Sequence, residues 1–218
     1  MECFYIVTVG WVFSLCLHEF AHAWVAYRGG DYTIRDKGYL TFNPLKYVDP
    51  FFSLVLPLLF VLLGGIGLPG GAVYIDRSLL RSRAIETAVS LAGPLANFIL
   101  VIILGAVFKF GVVQIDPNSL LSVSLAFLLH LQVSAIVLNL LPLPPLDGFG
   151  ALAPWLSESA RQNAYRNTNV TFFALFIALS FVPVIRNAFW ETVYTIDSLF
   201  GVPRELVRIG WNTYRFWD

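Results

Sequence analysis

Long, uncharged apolar runs recur along this chain of 218 residues and direct it toward a helical membrane fold. A bilayer span takes about 20 largely apolar residues, with a range of about 17–25. Lipid offers backbone amides no partner, so each run must satisfy its own hydrogen bonds as a helix. The first run extends from about Phe4 to Tyr27 and is interrupted by His18, Glu19 and His22. The second lies within Pro50 to Ile75, where Pro57, Gly64, Gly65, Gly67, Pro69, Gly70 and Gly71 make it short, broken or re-entrant. A third runs from about Ala84 to Phe108, a fourth from about Leu120 to Leu141, and a shorter fifth from about Val170 to Ile185. The expected fold is an all-α integral membrane protein, a multi-span helical bundle of about five segments, multi-pass in the cell membrane.

Composition agrees. Only 13% of residues are charged, the formal net charge is zero and 57% are hydrophobic. Soluble domains carry about 25% charged residues. These values exclude a disordered chain, a coiled coil and a nucleic-acid binder, because no basic excess exists to neutralise phosphates. Cys3 and Cys16 share one apolar run and read as small hydrophobes rather than a disulfide framework. Ala21-His22-Ala23 mimics a signal-peptidase site, but no positive region precedes it, so the signal-peptide reading is rejected. No internal repeat is visible. The expected organisation is a membrane domain over 1–185 and a tail over 186–218, whose Phe189, Trp190, Trp211 and Trp217 suit a helix at the membrane interface. If all five segments span, the positive-inside rule favours an outside N-terminus. A re-entrant second segment changes that sum, so no orientation follows.

Ionisable side chains inside a span are costly and mark function. His18-Glu19-Phe20-Ala21-His22 places two imidazoles four residues apart, on one helical face, where they can converge on one ion. H-E-x-x-H is the arrangement of zinc hydrolases, with the glutamate as base toward the attacking water. Catalytic zinc needs a third protein ligand and one open position. With three histidines in the chain, the candidates are His130 or a carboxylate. Asp147 is preferred, because Pro142, Pro144 and Pro145 must end or unwind the fourth helix just before it. Irregular backbone at membrane depth is tolerated where it lines a wet cavity. His130, mid-span, reads first as a histidine satisfied by a neighbouring helix and second as a proton relay. In Ala92-Gly93-Pro94-Leu95-Ala96-Asn97, Gly93 permits close helix approach. Asn97 is either an interhelical hydrogen-bonding group or a donor to substrate or oxyanion. Asn139 either caps the broken helix or points at the site. Asn43-Pro44 and Asp49-Pro50 are turn or helix-start signals.

Together, HEFAH at 18–22, NPLKYVDP at 43–50, AGPLAN at 92–97 and NLLPLPPLDG at 139–148 resemble the site-2 protease family of intramembrane zinc metalloproteases. They fall in that family's order, and the chain is most similar to compact bacterial and archaeal members without PDZ or CBS domains. The resemblance implies one zinc per chain held by His18, His22 and Asp147, with Glu19 as catalytic base. It matches Asn97 to the asparagine of the third helix that engages substrate or oxyanion. It also implies transmembrane protein substrates cut in regulated intramembrane proteolysis, with membrane lipid as surroundings and no nucleotide cofactor. Tyr47, where relatives of this branch often carry histidine, and Phe149, where they often carry glycine, depart from the pattern. So does GLPGGAVYI at 67–75, where many have a lysine- and proline-containing stretch.

The competing reading is a divalent-cation transporter with His18, His22 and Asp147 as a transit site. The absence of a repeat and of a second ligand cluster argues against it. Transport also needs no glutamate directly after the first histidine.

Overall fold

The computed structural model of the chain describes residues 1–47 and 72–215, and among these every regular element is a helix. The second apolar segment, apart from its last few residues, and Asp49-Pro50 lie outside the described residues. Among the described residues, three helices are long and apolar enough to cross a membrane: α1 (Glu2–Gly29), α3 (Arg83–Lys109) and α4 (Leu120–Asn139). Between the first two lies the one-turn helix α2 (Thr33–Asp36). A short α5 (Asp147–Leu152) follows α4, and α6 (Glu158–Arg166), α7 (Thr168–Phe181), α8 (Pro183–Leu199) and α9 (Arg204–Tyr214) complete the chain.

Local chemistry sets the helix ends. The Ser82 hydroxyl accepts from the Ile85 amide at the start of α3, and the Ser119 hydroxyl from the Ser122 amide at the start of α4. Pro94 sits inside α3 without ending it. The expected fifth segment does not run through as one helix. Val182 is extended ahead of Pro183, and α7 and α8 meet at an angle of 85°. A residue before proline is driven out of the α region by clash with the ring, so the break falls there.

α1, α3 and α4 pack against one another, and α8 and α9 pack on α4. The larger core gathers Val7, Val101, Phe127, Val193 and Leu206, so the C-terminal helices contribute side chains to it. A second apolar cluster, Ala23, Ala26, Ile34 and Val89, lies near the other end of α1. His18, Glu19 and His22 occupy the stretch of α1 between these clusters. Across the α1–α3 interface, Gly29 meets Ile85 and His22 meets Val89, so the two helices run antiparallel. Gly10 meets Leu128 and Ser14 meets Gln132, so α1 and α4 run parallel.

Candidate metal centre

The H-E-x-x-H spacing puts His18 and His22 on adjacent turns of α1, both buried. Their Nε2 atoms lie 3.0 Å apart. His22 donates its Nδ1–H to the Val89 carbonyl across 2.6 Å, an assignment that leaves its Nε2 lone pair facing inward. That carbonyl neighbours Ser90's, the one Pro94 leaves without its helical donor.

Asp147 comes from the far side of the proline-broken turn. Gly148 lets that turn fold back on itself, since a Cβ there would stand 2.2 Å from the Leu140 carbonyl oxygen. α5 then packs on α3, where the Thr87 hydroxyl donates to the Ala151 carbonyl across 2.8 Å. The Asp147 carboxylate ends 3.2 Å from His18 Nε2 and 3.4 Å from His22 Nε2.

These donor atoms form the one group of three or more His, Cys, Asp or Glu side chains among the described residues that could hold a metal ion. Four ligands at about 2.0–2.1 Å in a tetrahedron stand about 3.3 Å apart, and the observed separations of 3.0, 3.2 and 3.4 Å match three corners. Two neutral imidazoles and one carboxylate are also the donor chemistry that zinc takes. Gly93 shapes the cradle, because a Cβ there would stand 2.3 Å from His22 Nε2 and 2.5 Å from His18 Nε2. The imidazole side chains are 9% exposed and the Asp147 side chain 21%, so the cluster opens on the carboxylate side.

Glu19 is buried on α1, directly after His18. Its carboxylate accepts from the Val73 backbone amide. The stretch carrying Val73 is pinned on both sides. Ala72 N–H donates to the Tyr47 carbonyl (3.0 Å), Lys37 to the Tyr74 carbonyl (3.0 Å) and Asp76 N–H to buried Asp31 (2.8 Å). Tyr47 donates its hydroxyl to the Tyr39 and Thr41 carbonyls. Burial, with lesser effects of Cys16 and Glu19, pushes its phenol up to about 12, so it stays a neutral donor.

Asn97 is buried on α3, and its Oδ1 has no hydrogen-bond partner. Asn139 ends α4, half-buried and outside the three-donor cluster. Asn43 caps the 3-10 turn Pro44–Lys46 through the Leu45 amide. His130 lies apart from the cluster and pairs with Asp197 of α8, Nδ1 to Oδ2 at 2.6 Å, its ring stacked on Trp190 and Tyr194. Sequence reasoning did not single out Asp197 or Gln132, both buried. A carboxylate in the apolar stretch of α8 was the available signal for the first.

No protein-family profile and no solved structure matches the chain. Curated proteins do. "Putative zinc metalloprotease Rip2" of Mycolicibacterium smegmatis is 45% identical over 217 residues, spanning 99% of this chain and 82% of that protein. The protein of the same name in Mycobacterium tuberculosis H37Rv is 42% identical over 216 residues, again 82% of its length. "Putative zinc metalloprotease YwhC" of Bacillus subtilis is 30% identical over 184 residues, 82% of this chain and 81% of that protein. With a His/His/Asp cluster able to hold one metal ion and identity of this level over nearly its whole length, the chain belongs to the site-2 protease-like family of zinc metalloproteases represented by Rip2 and YwhC.

Proposed function

We propose that the chain is an intramembrane zinc metalloendopeptidase in which His18, His22 and Asp147 hold the metal and Glu19 is the general base. The observation that carries this reading is the convergence of three donor atoms 3.0–3.4 Å apart beside a buried glutamate, within the span of α1. Bound zinc supplies Lewis acidity that polarises the scissile carbonyl and makes water acidic enough to attack near neutral pH. Glu19, oriented by the Val73 amide, takes the proton of the attacking water and delivers it to the leaving nitrogen as the C–N bond breaks. The Asn97 amide is suited to donate to the developing oxyanion. Asn139, at the end of α4, has a weaker claim to contact the substrate.

A peptide bond inside a membrane helix hides its carbonyl in the helical ladder, so the substrate segment must unwind locally before it can react. The substrate class is therefore a transmembrane protein segment containing helix-weakening residues. Lipid surrounds the apolar side chains exposed on α3, among them Leu95, Phe98 and Ile102. Neither a nucleic acid nor a nucleotide has a part in this chemistry.

We further infer about five membrane segments in the cell membrane. They are α1, α3, α4, the bent pair α7–α8, and the segment within 50–75, which either spans or is re-entrant. In this reading, residues 1–185 form the metalloprotease domain and 186–218 a C-terminal tail at the membrane interface, whose helical part packs on α4. In the same reading the chain is a compact member of the family without PDZ or CBS domains. Cation transport is not favoured: the relatives carry metalloprotease names, and the described residues hold one ligand cluster.

The test is bound zinc and proteolysis measured together in detergent. One zinc per chain in wild type and Glu19→Gln, its loss in Asp147→Ala, and cleavage of a transmembrane substrate by wild type alone are expected. A folded wild type without zinc would overturn the reading.

A further inference from the structure

One helical turn from the metal cradle, three buried polar atoms on three helices have no protein partner: His18 Nδ1 on α1, Asn97 Oδ1 on α3 and Gln132 Oε1 on α4. Their residues are 7%, 5% and 1% exposed, so bulk solvent does not satisfy them.

The helix registers place the three residues at neighbouring levels of the bundle. α3 runs antiparallel to α1, with Val89 at His22 and Gly93 against both imidazoles, so Asn97 falls level with the turn between Ser14 and His18. Gln132 lies at the same level, because its Nε2 donates to the Ser14 hydroxyl across 2.8 Å. The Ser14 proton is committed to the Trp11 carbonyl, also at 2.8 Å, so Ser14 can only accept from Gln132. That fixes the Gln132 amide and leaves Oε1 as the free acceptor. Helical side chains lean toward the N-terminus, which carries the His18 ring over the Ser14 turn.

The hydrogen-bond count then closes around one molecule. When His18 offers the Nε2 lone pair to a metal, its proton resides on Nδ1, giving one donor beside two acceptors. A water accepts one hydrogen bond and donates two, and buried waters characteristically join about three such groups. We propose that His18 Nδ1, Asn97 Oδ1 and Gln132 Oε1 enclose a site for one buried water, which orients His18 as Val89 orients His22. The inference rests on the reading of His18 as a zinc ligand. Gln132 is thus a positioning residue. The same water turns Asn97 Oδ1 away from the substrate and leaves its NH2 group to the reaction side.

The experiment is zinc affinity by chelator competition, together with the visible spectrum of the Co²⁺-loaded protein. Partners that orient a metal-bound histidine are worth about 10–100-fold in affinity. Folded Gln132→Met should weaken zinc by that factor and alter the Co²⁺ bands. Gln132→Glu, which keeps an acceptor in place, should return affinity to within a few-fold of wild type. Unchanged affinity and spectrum in Gln132→Met would overturn the water site and leave the protease reading intact, whereas a wild type without zinc would overturn both. A density map of the wild type that resolves ordered water decides the matter without any variant. A peak within hydrogen-bond distance of all three atoms is expected, and a dry contact between them would refute the proposal.

Discussion

His22 Nδ1 and the Val89 carbonyl oxygen, 2.6 Å apart, tie helix α1, which carries both imidazoles of the candidate metal centre, to its antiparallel neighbour α3. The contact fixes which imidazole nitrogen faces His18 and Asp147. Because the acceptor is backbone, no substitution at position 89 removes it. The cradle is therefore tuned by the residues beside it, and Gly93, whose missing Cβ leaves room for both imidazoles, is one of them.

Gly93→Ala should keep the fold and lose the metal. Alanine is the better helix former, by about 1 kcal/mol. Its Cβ, however, would stand 2.3 Å from His22 Nε2 and 2.5 Å from His18 Nε2, so the imidazoles must move apart. Zinc titration should show at least about a tenfold loss of affinity, with helical circular dichroism unchanged. Wild-type zinc binding in Gly93→Ala would mean the cradle is looser than these distances.

Glu19 and the ligands should separate cleanly in their phenotypes. Glu19→Gln retains one zinc and loses about 10²–10⁴-fold in turnover of a transmembrane substrate, the ordinary contribution of a general base. Asp147→Ala removes one of three protein donors and should lose zinc. Metal analysis beside a gel-based cleavage assay reads both. Cleavage at the wild-type rate in Glu19→Gln would remove the assigned base.

Asp31 is fully buried and accepts from the Thr33 amide, the Thr33 hydroxyl and the Asp76 amide. Asp31→Ala would strand two backbone donors and free the stretch carrying Val73 beside Glu19. We expect a loss of about 2 kcal/mol, equivalent to about 4–8 °C in Tm for a chain of this size. Cleavage should fall while zinc content stays, as reported by thermal unfolding and metal analysis on the same sample.

The His130–Asp197 pair joins α4 to α8 inside the bundle, both residues buried. Removing one partner leaves the other without compensation, so His130→Leu and Asp197→Leu should each cost about 3 kcal/mol. The double variant should cost clearly less than the sum of the two. Additive losses in a double-mutant cycle of unfolding free energies would show that the two side chains do not act as a pair.

Local chemistry made α1, α3 and α4 legible. An apolar run of about 20 residues can satisfy its amides only as a helix, and the expected bounds fall within two residues of those observed. His18 and His22 were legible for the same kind of reason, since a separation of four residues fixes a shared helical face before any tertiary contact forms. The candidacy of Asp147 followed from three prolines that cannot continue a helix.

The break at Val182 was harder to see. The segment containing it is apolar on both sides, and only the proline following it marks the bend. The partner of His130 was harder still, because Asp197 is remote in sequence and carries no spacing signature.

What the sequence determined by itself, then, was the three long helices, the types of donor side chain and the face that His18 and His22 share, since these depend on residues within a few positions of one another. The tertiary structure alone decided that the Asp147 carboxylate ends 3.2 Å from His18, that Gly93 opens onto both imidazoles, and that Asn97 and Gln132 share the level of Ser14. These depend on the antiparallel and parallel registers of packed helices. Register is set by the summed fit of many side chains across an interface, and no local stretch of sequence contains that sum.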